Sequence, residues 1–120
     1  MVEVVSRERN LPAPPHVVFE DLTVPDRSSA RPWLHLLDDE VAPLVLESQE
    51  MGYVVWSSLW PQRPDARVRF DLRQSGPGGG TDLRWTLTLD EPRPDESLTG
   101  HMCMRINTLI HANLRYTYGQ

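Results

Sequence analysis

The sequence predicts an α+β domain in which a curved antiparallel sheet of roughly five strands wraps around one long C-terminal α-helix. Two observations carry this prediction. First, Arg67 to Leu89 consists of two alternating apolar and polar runs joined by Ser75-Gly76-Pro77-Gly78-Gly79-Gly80. Pairing Arg73 with Asp82 sets Leu72 opposite Leu83, Phe70 opposite Trp85 and Val68 opposite Leu87 on one face, with Asp71 beside Arg84 on the other. A slip of one residue breaks both the apolar ladder and the charge pairs. Second, from Ser97 onward Leu98, Met102, Ile106, Leu109, Ile110 and Asn113 recur at helical spacing, and the pattern runs to Tyr116. A sheet with one apolar face and a single helix to cover it encloses a cleft.

The remaining elements follow in order. Val2 to Arg9 alternates as a first strand suited to a sheet edge. Leu11-Pro12-Ala13-Pro14-Pro15 ends it, and Pro14 and Pro15 suit the first turn of a short helix through Val17, Val18, Phe19 and Leu22, because proline there gives up only an amide that has no partner anyway. Pro25-Asp26 stops that helix. Between Arg27 and Pro43, Trp33, Leu34, Leu36 and Leu37 imply a short helical turn or tucked loop, and Asp38-Asp39-Glu40 reads as a solvated acidic bend.

Leu44 to Gln49 and Tyr53 to Trp60 form a second hairpin turning near Met51-Gly52, with Gly52 free to take a positive φ. If Leu46 faces Trp56, then Leu44, Leu46, Val54, Trp56, Ser58 and Trp60 share the inner face. That phase is preferred over one burying Val55, Ser57 and Leu59, because it buries two tryptophans. Pro61-Gln62-Arg63-Pro64-Asp65 and Glu91-Pro92-Arg93-Pro94-Asp95 are connectors.

The 120 residues are expected to form one domain, 1–120, large enough to bury a core without staples. The net charge is -5 and the basic residues are scattered, which argues against nucleic acid and anionic membrane surfaces as partners. No apolar run is long enough to cross a bilayer and the N-terminus lacks the features of a signal peptide, so a cytoplasmic location is expected. Cys103 is the single cysteine, which excludes an internal disulfide. All basic residues are arginine, which excludes a Schiff-base lysine, a phosphate-loop lysine and a lysine general base. The glycine-rich segment leads into a strand, as a hairpin tip does and a phosphate loop does not. His16, His35, His101 and His111 lack metal spacing, and no glycine-flanked serine elbow is present. No metal, cofactor or covalent catalytic residue is expected.

With Leu11-Pro12-Ala13-Pro14-Pro15-His16-Val17-Val18-Phe19, Pro25-Asp26, Trp33-Leu34 and Gly79-Gly80-Thr81-Asp82-Leu83-Arg84-Trp85-Thr86-Leu87 in this order, the chain resembles the START-like superfamily with the helix-grip fold. That superfamily includes polyketide cyclases, lipid-transfer domains, pollen allergens and activators of the ninety-kilodalton heat-shock chaperone. The resemblance implies a cavity between sheet and terminal helix. Members usually place about six strands between the helical segment and the final helix; only four are legible here, which implies a smaller or more open cavity. An open sheet edge invites a partner, and homodimerisation over it is a further expectation.

Within this frame the candidate ligand contacts are Trp56, Trp60, Phe70, Trp85, Met102, Ile106 and Leu109, which either line a pocket for a flat apolar ligand or fill the core. His101, Arg105 and Asn113 are polar groups near the inward side of the helix, able to meet a carbonyl or carboxylate; alternatively Arg105 reaches solvent and His101 has no chemical role. The leading function is binding of a small hydrophobic or aromatic molecule in the cleft. The alternatives are an enzyme of the cyclase, aromatase or dehydratase kind, which needs only one well-placed acid or base, and a protein-interaction module with no ligand.

Overall fold

The computed structural model describes residues 2–25, 32–50, 52–92 and 94–119. Five strands, β1 (Val2–Leu11), β2 (Val45–Gln49), β3 (Tyr53–Trp56), β4 (Arg67–Ser75) and β5 (Gly80–Leu89), form one antiparallel sheet in the order β1-β5-β4-β3-β2. β1 stands at one edge, as its alternation predicts, and β2 at the other. Helix α1 (Pro15–Thr23) follows β1 directly. Pro14 sits at its N-cap and Pro15 in its first turn, while Thr23 Oγ1 donates back to the Phe19 carbonyl at 2.9 Å near its end. Asp26, Met51 and Arg93, named in the expected helix stop, hairpin turn and connector, lie outside the described residues.

The β4–β5 register is the one the alternation requires: Val68 with Leu87, Phe70 with Trp85, Leu72 with Leu83 and Arg73 with Asp82. The inner side chains of this ladder are buried, and Trp56 meets Phe70 edge to face at 4.7 Å between centroids. On the outer face Arg73 bonds Asp82 at 3.2 Å. Asp71 and Arg84 are paired in register but not with each other: Asp71 takes Arg69 at 3.0 Å, and Arg84 reaches across β1 to Glu8 at 3.0 Å. β1 offers Arg84 a carboxylate that the hairpin pattern alone does not reveal. The tip turns through Gly76 at φ 55 and Gly79 at φ 82, conformations open to glycine at little cost.

Two expectations about the second hairpin change. Val54 and Trp56 face inward as expected, but Leu44 is 70% and Leu46 49% exposed. The register runs Val45 with Trp56 and Glu47 with Val55, so Leu46 is the extra residue of a bulge, and all of β2 is exposed at the sheet edge. Gly52 does not use positive φ; its amide closes the turn on the Gln49 carbonyl at 2.9 Å. The expected strand to Trp60 ends at Trp56, and beyond it the alternation stops: Ser58, Leu59 and Trp60 are all buried in the loop that follows.

The terminal helix covers 96–117. Helix α2 (Glu96–Asn107) is capped by Asp95, whose carboxylate accepts the Leu98 amide at 2.7 Å. From Thr108–Leu114 the helix widens into π turns, and one α turn, Arg115–Thr117, ends it. Met102, Arg105, Ile106, Leu109, Ile110 and Leu114 are its buried residues. The wider turns delay the inward face by about one residue, so Leu114 takes the place expected of Asn113, which is half-buried. Leu11, Val18, Leu22, Trp33 and the inward residues of β3, β4 and β5 complete the core with them.

Candidate functional site

The interior between the sheet and the terminal helix is where the candidate residues gather. Strand alternation aims Trp56, Phe70 and Trp85 to one side of the sheet, and helical spacing aims Met102, Ile106 and Leu109 to meet them; all are buried. Trp60 joins them from the loop after β3. Trp33, from the segment before β2, lies stacked on Trp56 with centroids 6.0 Å apart. It was legible in the sequence only as an apolar residue in a loop, because loop residues carry no period by which to assign a face.

The indole nitrogens in this interior differ sharply in their bonding. Trp56 Nε1 donates to the Leu22 carbonyl at 2.8 Å, which ties β3 to the end of α1. Nε1 of Trp33, Trp60 and Trp85 is buried, and none of the three finds an acceptor among the described residues. A buried donor left unpaired costs about 1–3 kcal/mol. The apolar interior therefore carries three buried hydrogen-bond donors without an acceptor among the described residues.

A buried ion pair holds the loop that leads into β2. Arg105 Nε and Nη2 each bond a Glu40 carboxylate oxygen at 2.8 Å, and Nη2 also donates to the His35 carbonyl at 2.9 Å. The Glu40 side chain is 0% exposed and its other bond comes from the Leu37 amide at 2.9 Å. The expectation of a solvated acidic bend thus fails at Glu40, and Arg105 does not run out to solvent. Both have the same physical cause: each side chain neutralises the charge that would make burial of the other costly. Burial pushes the Glu40 carboxyl upward, but the Arg105 and Leu37 hydrogen bonds and the charges of Arg105 and His101 outweigh it, so the group stays below its usual range. His101 is half-buried on the side of α2 that feels Glu40, and Asn113 is half-buried in the widened part of the helix. The aromatic members of the candidate set are brought together; His101, Arg105 and Asn113 are spread along three turns of helix.

Among the described residues no cluster of His, Cys, Asp and Glu fits a metal ion, and no helix is long and apolar enough to cross a membrane. No family model matches the sequence, and no curated protein does. Solved structures do match. The Aha1 dimer from Colwellia psychrerythraea is 15% identical with a TM-score of 0.68, covering 96% of this chain and 94% of its own. Protein MLL2253 from Mesorhizobium loti is 22% identical with a TM-score of 0.63, covering 89% and 90%. CalU16 from Micromonospora echinospora is 20% identical with a TM-score of 0.57, covering 87% and 70%. At these identities the likeness is one of fold, and with the sheet order and terminal helix described above it shows that this chain has the α+β helix-grip fold.

Proposed function

We propose that the interior binds a small hydrophobic or aromatic molecule carrying at least one hydrogen-bond acceptor. The carrying observation is the set of buried indole donors at Trp33, Trp60 and Trp85 that lack protein acceptors. Interiors normally satisfy such groups, and a ligand carbonyl or ether oxygen offsets their desolvation. Apolar contact comes from Trp56, Trp60, Phe70, Trp85, Met102, Ile106 and Leu109. His101 and Asn113 are half-buried on the covering helix, and Arg105 acts through Glu40 by fixing the loop that carries Trp33. The binding is non-covalent, with affinity from apolar burial at roughly 25 cal/mol per Å². The helix-grip fold supports this reading, since the residues named lie between its sheet and its terminal helix.

Titration with the neutral fluorophore N-phenyl-1-naphthylamine tests it. Saturable emission, quenching of the tryptophans and a raised melting temperature are expected. No saturable binding of this dye and no thermal shift across a panel of aromatic ketones and fatty acids would overturn it.

A second reading concerns assembly, and the exposed edge strand favours it. β2 presents Val45 and Leu46 to solvent, and Leu44 and Val41 are exposed in the segment that leads into it. The unpaired side of an edge strand offers free backbone groups to another strand. The occupant proposed is a second copy of this chain, which the dimeric state of the Colwellia structure supports.

A further inference from the structure

A groove of about 900 Å³ runs along the seam between the edge strand β1 and α2. Its walls include Glu3, Val5 and Arg7 from the strand and Glu96, Gly100 and Cys103 from the helix. Strand and helix run in the same direction here. Glu96 therefore marks one end, Arg7 and Cys103 lie further along, and Arg9 closes the seam beyond them by donating to Asn107 Oδ1 at 2.7 Å. The groove is acidic at one end and basic at the other.

Three features distinguish the groove. Val5, Arg7 and Arg9 pair with Leu87, Trp85 and Leu83, so both arginines occupy the inner phase of the sheet, where the chain otherwise places apolar residues. Arg69, Arg73 and Arg84 on the outer face all hold carboxylates. Among the described residues, Arg7 and Arg9 hold none: their bonds go to the Ser6 and Glu8 carbonyls and to Asn107. Next, Trp85, paired directly with Arg7, is one of the tryptophans whose buried N–H lacks an acceptor. Finally, Gly100 stands inside a helix, where glycine costs about 0.5–1 kcal/mol relative to alanine. A Cβ built on it meets nothing within 4 Å, so packing does not require the glycine. What it does is widen the groove.

His111 lies one turn beyond Asn107. His111 is exposed, yet partial desolvation holds its pKa below the usual histidine value and the charges of Arg9 and Arg115 push it further the same way. The basic potential therefore continues past Arg9.

We propose that this groove binds the charged end of a monoanionic amphiphile, an aromatic or aliphatic carboxylate or sulfonate, with Arg7 as the anion's partner and the apolar body directed past Trp85 into the interior. The proposal rests on the interior binding described above and adds the ligand's charge and orientation. Glu96 at the opposite end selects against a second negative charge on the ligand.

Two fluorophores that differ by one sulfonate test this: 1-anilinonaphthalene-8-sulfonate and neutral N-phenyl-1-naphthylamine. Arg7→Gln is expected to weaken the sulfonate about tenfold, the loss of one charge-assisted contact, and to leave the neutral dye unchanged. Arg73→Gln, an exposed arginine on the other face, should change neither. Gly100→Phe, which projects into open space from the groove wall, should abolish sulfonate binding while the melting temperature holds. Equal effects of Arg7→Gln and Arg73→Gln on the sulfonate, or full sulfonate affinity in Gly100→Phe, would overturn the groove assignment while neutral-dye binding kept the interior reading intact. Failure of the neutral dye to bind the wild-type protein would instead overturn the interior reading itself.

Discussion

Removing one partner of the Arg105–Glu40 pair is expected to be among the most damaging single changes in the chain. In Arg105→Leu the Glu40 carboxylate, 0% exposed, loses both 2.8 Å bonds and keeps only the Leu37 amide, while the His35 carbonyl loses its donor as well. An uncompensated buried charge costs about 3–5 kcal/mol. For a domain of this size each kcal/mol moves the melting temperature by about 4 °C, so a fall of about 12–20 °C is expected. Thermal unfolding followed by circular dichroism, with urea midpoints as a second measure, reads this directly. The double variant Glu40→Leu/Arg105→Leu removes both charges together and should recover most of the loss, because apolar replacement of a whole buried pair is often close to neutral. Single variants costing less than about 1 kcal/mol, the range of solvent-exposed pairs, or a double variant whose loss equals the sum of the singles, would refute the buried, coupled character of this contact.

Three further outcomes follow. The folded-state pKa of Glu40 lies below its ordinary value of 4.5, so the stability it contributes is present above that pH and is lost as pH falls through the folded value. Asp65, held far down first by its Arg63 bonds, and Asp82, held down first by Asn10, act in the same direction. Urea unfolding across this range should show stability declining below about pH 4.5, more shallowly in the Glu40→Leu/Arg105→Leu variant; identical slopes would contradict the assignment to Glu40. Gly80→Ala should cost about 1–3 kcal/mol, because a Cβ there stands 2.9 Å from the Leu11 carbonyl, whereas Gly78→Ala, with nothing within 4 Å, should be nearly neutral in urea denaturation. Leu46→Lys should convert a dimer to a monomer in light scattering at micromolar concentration; a wild-type protein already monomeric there would end the edge-pairing reading.

Much of the fold was legible because period and charge agreed. In β4 and β5 the apolar ladder and the Arg73–Asp82 pair both demand the same register, and that register is found. The inward phase of Val54 and Trp56 was readable for the same reason, since only one choice buried two indoles. Legibility failed where a local irregularity changes the period. The bulge at Leu46 turns an apolar residue outward, and the π turns of Thr108–Leu114 exchange Asn113 for Leu114 on the buried face. It failed also for contacts between segments distant in sequence. Nothing near Glu40 announces Arg105, and a run of three acids looks solvated until its partner is placed. The burial of Trp56, Phe70 and Trp85 was therefore predictable from alternation. The unpaired indoles and the β1 groove were not, because both depend on which partners the tertiary fold withholds.

The most direct test of interior binding is the set of indole N–H resonances in a nitrogen-15 correlation spectrum, where the four tryptophans give four reporters. Saturation with a neutral aromatic ketone is expected to shift the Nε1–H signals of Trp60 and Trp85, which lack a protein acceptor, and to leave that of Trp56, already bonded to Leu22, near its original position. Shifts confined to surface amides, with the Trp60 and Trp85 signals unmoved at saturation, would contradict a ligand in the interior.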